Sequence, residues 1–356
     1  MSRFCLLDEK QDYVAHDWDL AGDAGARGHW LALFERHFDQ TLQAAAKQYT
    51  RGAGAQIEAA GAEFNKAIER LRKDPNSLPS GKLDVMQLCR LRRDVLFTNR
   101  LKDPFRHIKL RENESAMQLY PRVLARLHAT GPGEKWVHLI RCIFAGNIFD
   151  LGSSATMKLT AESPDFTTTL AQTKRRPWLL DDYDRLADDL DTAPPTKWSK
   201  AVVFVDNCGT DFILGVMPFV RELALGGTQI VLAANEHPAL NDVTADETVE
   251  IVQRLSRIDP DLAALIDADM FEVVSTGNDL PLIDLSDVTD ELNAAATDAE
   301  LVVLEGMGRA IESNFDAAFT CDCLRLALLK DPLVAQRVGG EVYDCVCKYV
   351  PSGEAY

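Results

Sequence analysis

Two kinds of hydrophobic pattern divide the chain. From Trp30 to Arg72, apolar residues recur with a period near 3.6 among many Ala, Leu, Gln and Glu, which predicts helix. The Pro, Ser, Asn and Gly of Lys73–Lys82 predict a loop. Helical patterns resume over Leu83–Asn99, Glu114–Ala129 and Glu134–Phe149. Ser163–Pro195 mixes acids, threonines and prolines around a helix predicted over Asp181–Leu190, and the segment ending at Lys200 reads as a linker. From Ala201 the pattern changes to short, apolar, β-branched runs: Ala201–Asn207, Gln229–Asn235, Phe271–Gly277, Glu300–Gly306 and Tyr343–Tyr349. Helices predicted over Phe212–Leu225, Ala245–Leu255, Val288–Ala295 and Leu324–Leu329 separate them. Apolar strands alternating with helices predict an α/β fold: a Rossmann-like, doubly wound parallel sheet covered on both faces. The expected organisation is a mainly helical N-terminal domain, residues 1–195, followed by the Rossmann-like domain, residues 196–356.

Ligands of an open α/β sheet bind beyond the carboxyl ends of its strands. The first run delivers Asp206 and Asn207 there, followed by Cys208, Gly209, Thr210 and Asp211. The second delivers Asn235 and Glu236 and then Asn241 and Asp242, and the third Thr276, Gly277, Asn278 and Asp279. The fourth delivers Glu305, Gly306, Met307, Gly308 and Arg309, and Lys348 lies in the fifth. Carboxylate and amide oxygens suit a hard divalent cation, with positions left for water and a phosphate. Gly209 would let backbone approach a ligand closely, and a helix starting near Asp211 would offer free N–H groups to an anion. Gly306 and Gly308, with Arg309, make a second loop suited to phosphate. Taken singly, these residues also read as turns and caps: Asp206-Asn207 as an Asx cap, Asn241-Asp242 as an N-cap, Lys348 as part of an edge strand. Their convergence at one sheet edge favours a site. A dinucleotide G-x-G-x-x-G, a P-loop and a G-x-S-x-G elbow are all missing, and His237 is the one histidine of the second half.

A net charge of −17 over 356 residues argues against a sequence-independent grip on nucleic acid. No apolar run approaches the roughly 20 residues of a membrane span, and the opening MSRFCLLDEK is too short an apolar core for a signal peptide, so a cytoplasmic protein is expected. The eight cysteines lack the spacing of a disulfide framework. Cys321/Cys323 and Cys345/Cys347 also lack the spacing and neighbouring histidines of a zinc site, so reduced, packed thiols are expected.

The segment FVDNCGTDFILGVMPFVRELALGGTQIVLAANEHPALNDVT, from Phe204, closely resembles the core motif of the damage-control metal-dependent phosphatases. EGMGR, Glu305–Arg309, looks like the signature of the subfamily holding the plant stand-alone enzymes and the C-terminal domain of type-four pantothenate kinase. LCRLR (Leu88–Arg92), FAGNIFDLG (Phe144–Gly152) and GGEVYDCVCK (Gly339–Lys348) extend the likeness. The resemblance implies a metal held by Asp206, Asn207 and Asp242, with Mg2+, Mn2+, Co2+ or Ni2+ as the ion. It implies a substrate loop of Glu305, Gly306, Met307, Gly308 and Arg309, with Lys348 matching the lysine of an R-T-x-K motif in related subfamilies. Asn147 and Asp150 would reach in from the helical domain; Gly209, Asn235 and Asn278 complete the expected substrate-binding set. The implied partners are small phosphorylated metabolites, 4′-phosphopantetheine and its damaged forms or sugar phosphates. Asp206 or Asp211 would position or deprotonate a metal-bound water, or Asp206 would itself attack phosphorus, while Arg309 and Lys348 neutralise the phosphoryl oxygens. Two other classes remain open: an S-adenosylmethionine-dependent carboxyl methyltransferase and a non-catalytic ligand-binding protein.

Overall fold

The computed structural model describes residues 1–16, 18–50, 52–148, 166–190 and 196–354. The first helical pattern divides into α1 (Ala24–Gln48) and α2 (Gly54–Lys73). Then come α3 (Val85–Thr98), α4 (Arg106–His128) and α5 (Pro132–Asn147). Asp23 and Asp84 accept from backbone N–H groups in the first turns of α1 and α3, the usual N-cap chemistry. α4 begins eight residues before its expected start, at Arg106. After α6 (Phe166–Gln172), a two-residue strand β1 (Leu180–Asp181) and α7 (Tyr183–Leu190), the chain enters the main sheet.

Among the described residues the sheet has seven strands: β1, β2 (Lys200–Phe204), β3 (Gln229–Ala234), β4 (Phe271–Ser275), β5 (Leu301–Glu305), β6 (Asp322–Leu328) and β7 (Cys345–Val350). Their order across the sheet is β1-β7-β6-β5-β2-β3-β4. β2 to β6 run parallel, whereas β7 is antiparallel to β6. The doubly wound fold is therefore present, with two reversed strands, β7 and β1, at one side.

Leu324–Leu329, expected as helix, is most of β6. Its leucines and alanine have high helix propensity, but tertiary context overrides that preference: all seven residues of β6 are buried. Leu324, Leu326 and Leu328 enter one core and Cys323 and Ala327 the other. The same alternation runs through β2, where Ala201 and Val203 face one core and Val202 and Phe204 the opposite one. α1 and α3 pack on the Phe204 side, while α4, α5 and α8 (Met217–Leu225) pack on the Val203 side. Helices from the first 150 residues thus cover both faces of the sheet.

The remaining helices are α9 (Ala245–Ser256), α10 (Pro260–Asp267), α11 (Asp290–Ala296) and α12 (Pro332–Arg337). Two π-helical turns, Asp211–Val216 and Met307–Glu312, follow β2 and β5 directly. Such turns cluster at functional sites. Among the described residues, no helix is long and apolar enough to cross a membrane. All eight cysteines are free, and seven are buried, in line with the packed thiols expected.

A close backbone approach joins α5 to the first π-helical turn. A Cβ on Gly146 would stand 2.7 Å from Asp211 Cα, and one on Gly215 would stand 3.0 Å from Ile143 Cα. Each segment has its glycine where the other's backbone passes. Gly146→Ala should therefore destabilise by about 1–3 kcal/mol, the usual cost of overpacking. Thermal denaturation checks this against Gly133→Ala, where nothing lies within 4 Å and the midpoint should not fall.

Candidate active site

Strand order places the site. Chain connections run outward from β2 to β3 and β4 on one side, and from β5 to β6 on the other, so the order reverses between β2 and β5. At that switch point a crevice opens beyond the strand ends, the general ligand position of open α/β sheets. Asp206 follows β2 there, and Glu305 closes β5.

Asp206, Asp211 and Glu305 each offer an oxygen within 4.8 Å of the others, and all three are buried. The Asp206 N–H donates to Glu305 Oε2 at 3.2 Å. Asn147, the last residue of α5, reaches in from the helical half. Its Nδ2 donates to Asp211 Oδ2 at 2.9 Å and to Glu305 Oε1 at 2.7 Å. Asn207 Nδ2 donates to Asp206 Oδ2 at 2.9 Å and Asp211 Oδ2 at 2.8 Å. Gly306 permits the crowding: its φ is +91°, and a Cβ there would fall 2.2 Å from Asp206 Oδ2.

Asp242 enters from the loop after β3 and joins Asn207 through an isolated β-bridge. Arg309 ties the two halves together. One arm of its guanidinium donates to Asp206 Oδ1 and the other to Asp242 Oδ2, the latter at 2.8 Å. Asn235 braces that contact, donating to Asp242 Oδ2 at 3.2 Å and accepting from Arg309 at 3.1 Å. Asn278 donates in turn to Asn235 Oδ1 at 3.0 Å and to the carbonyls of Leu280 and Leu282. Met307 and Gly308 line the same crevice.

The electrostatics are dominated by acid. Four carboxyl groups (Asp206, Asp211, Asp242 and Glu305) gather around Arg309, and Lys330 stands close by. Burial, then the Asp206 charge, raises the Asp211 carboxyl to about 7. Burial, then Asp211 and Asp206, pushes Glu305 well above the ordinary carboxylate range. Asp242 and Asp206 hold Arg309 more firmly protonated than usual, against the opposing effect of its burial. Asp211 Oδ1 and Asn147 Oδ1 are buried with no hydrogen-bond donor. Unpaired oxygens in a buried cluster of carboxyl and amide groups fit a divalent cation with oxygen ligands.

Other expected contributions change. Gly209 N–H is taken by Asn113 Oδ1 at 2.7 Å, because the glycine packs on α4: a Cβ there would lie 2.9 Å from Glu112 Cβ. Phe212 and Ile213 donate to the carbonyls of Asn207 and Gly209, so these N–H groups are occupied within the chain rather than offered to an anion. Lys348 stands apart from the cluster. Reversal of β7 sets it opposite Arg325 in mid-strand, with Nζ donating to the Phe315 carbonyl at 3.0 Å and lying 4.1 Å from the Phe315 ring centroid. The lysine at the crevice is Lys330, just beyond β6, with Nζ 3.3 Å from the Asn147 carbonyl. Misreading β6 as helix hid it, since as a strand β6 delivers its following residue to the site edge. Asp150 lies outside the described residues.

Comparison with known proteins identifies the family. Residues 32–346 match the damage-control phosphatase ARMT1-like domain. The chain is 39% identical over 323 residues to an Arabidopsis thaliana damage-control phosphatase, covering 90% of this chain and 87% of that one. It is 36% identical to pantothenate kinase 2 of the same plant and 31% identical to a mouse 4′-phosphopantetheine phosphatase. Those matches take in 98% and 97% of this chain, which spans only 42% and 48% of the two relatives. A solved structure of a DUF89 family protein from Pyrococcus horikoshii shares the fold, with TM-score 0.63 and 17% identity over 90% of this chain and 96% of that one. The chain therefore belongs to the ARMT1-like damage-control phosphatase family. Members of this family are metal-dependent phosphatases, and the buried acidic cluster matches that requirement.

Two lysine variants separate the positions. Lys330→Met should lower kcat/KM by roughly 100-fold, the scale for losing one group that stabilises transition-state charge. Lys348→Met should leave it within about twofold, since that lysine contacts a carbonyl and a ring elsewhere. Steady-state phosphate release by the two folded variants checks both.

Proposed function

We propose that the chain hydrolyses 4′-phosphopantetheine or its oxidised forms with one divalent cation, Mg2+ or Mn2+, held by Asp206, Asn207 and Asp242. The observation that carries this reading is the buried carboxylate cluster, with Asp211 Oδ1 unpaired. Asp206 and Asp242 already converge on a single cationic group, the Arg309 guanidinium, which supports their shared binding of an ion. Asn207 presents Nδ2 to the carboxylates, and turning its amide over brings Oδ1 to the same place.

When bound, the cation supplies Lewis-acid polarisation of a phosphoryl oxygen and a lowered pKa for a coordinated water. Every other role falls to the chain. Asp211 Oδ1 accepts the proton of the attacking water, while Asn147 and Asn207 fix that carboxylate through Oδ2. Arg309 has both arms engaged by Asp206 and Asp242, so it orients the ligands rather than gripping substrate. Lys330 offsets charge on the phosphoryl oxygens.

The crevice runs from these residues to an apolar wall of Trp30, Leu33 and Phe34 on α1 and Val85 on α3. An apolar wall suits the dimethylated pantetheine arm better than the hydroxyls of a sugar. The name of the mouse relative supports the same substrate.

Phosphate release from 4′-phosphopantetheine and from a hexose phosphate, before and after chelation, tests the proposal. Chelation should reduce release by at least about 100-fold, with recovery on adding back Mg2+ or Mn2+, because water activation depends on the ion. Activity surviving complete metal removal overturns the metal role. A higher kcat/KM for the hexose phosphate overturns the substrate assignment.

A further inference from the structure

Four arginines are buried among the described residues: Arg92, Arg221, Arg309 and Arg325. Three donate to oxygen acceptors. Arg221 pairs with Asp259, Glu222 and Asp261. Arg309 pairs with Asp206 and Asp242, and Arg325 donates to the carbonyls of Asn314 and Ala317. Arg92, 5% exposed, differs: its guanidinium meets the Cys89 thiol at 3.8 Å and lies 5.1 Å from the Phe34 ring centroid. Among the described residues, no carboxylate or carbonyl pairs with it. Thiol and ring contacts are weak partners for a guanidinium, so Arg92 keeps N–H donors that no oxygen of the described residues accepts.

Arg92 also lines the crevice that holds Asp206, Asp242 and Lys330. A phosphate dianion entering there meets carboxylates on the sheet side, and the Arg309 fork is already used. Arg92 approaches from α3, on the opposite wall, with donors to spare. A planar fork matches two phosphoryl oxygens, whereas a lone lysine gives only a point charge.

We infer that Arg92 binds the phosphoryl group of the substrate, clamping it from the α3 wall against Lys330 and the metal-binding carboxylates. This rests on the phosphatase reading of the site. The group transferred is unchanged: Arg92 forms hydrogen bonds only, holds its own proton, and sets affinity and orientation of the ester.

Competitive inhibition by inorganic phosphate, measured on the metal-loaded full chain, tests it. Arg92→Gln should weaken phosphate inhibition at least about tenfold, the scale for losing a charge-assisted pair. KM should rise alongside, while the Mn2+ affinity stays at the wild-type value. Arg92→Lys keeps the charge without the fork and should fall between the two; it serves alone if Arg92→Gln does not fold. Unchanged phosphate inhibition in a folded variant overturns the inference. That holds even if KM for the larger ester rises, because Arg92 would then contact the organic portion. A wild-type chain that releases no phosphate from any ester refutes the phosphatase reading instead, so the two failures are distinguishable.

Discussion

Three buried carboxylates share a pocket at the reversal of strand order, and much of the structure around them serves to hold like charges together. In isolation such a cluster is unfavourable: desolvation and mutual repulsion both oppose ionisation, as the raised Asp211 and Glu305 show. The chain answers with a charged fork on one side, Arg309 between Asp206 and Asp242, and a neutral amide on the other, Asn147 between Asp211 and Glu305. Under the proposed metal site, a divalent cation completes that balance by favouring the ionised carboxylates. Ligand binding is thus an electrostatic completion of the fold, not an addition to a finished surface.

That demand reaches into packing. Asn147 can bridge two sheet-side carboxylates only if α5 lies almost against the first π-helical turn, which Gly146 and Gly215 permit. Gly306 does the same for the end of β5 against Asp206. On the far side, Asn278 fixes Asn235 and Asn235 fixes Asp242, a chain of amides that limits the movement of one carboxylate. Rigid support of this kind is what catalysis by preorganised charge requires.

Much of the site was legible in the chain because β-branched runs end abruptly in polar residues. Asp206, Asn207, Asn235, Asp242, Glu305 and Arg309 all lie where strand ends were expected to deliver them. The misreadings have physical causes. CDCLRLALL carries helix-forming residues, and only neighbours on both sides make it a strand. With β6 hidden, Lys330 had no strand end to follow, and the antiparallel run of β7 moved Lys348 away from the site edge. Arg92 sits inside an ordinary helical pattern. Its unusual lack of an oxygen acceptor among the described residues is a tertiary fact, invisible in the local sequence.

The central claim is that the carboxylate cluster takes one divalent cation. Calorimetric titration of Mn2+ into the metal-free chain near neutral pH tests it most directly. One saturable site per chain is predicted, weakened at least about tenfold by Asp206→Asn and by Asp242→Asn, because affinity follows the charge of the oxygen ligands. Absence of saturable binding in the folded wild-type chain, or wild-type affinity in both variants, would contradict it.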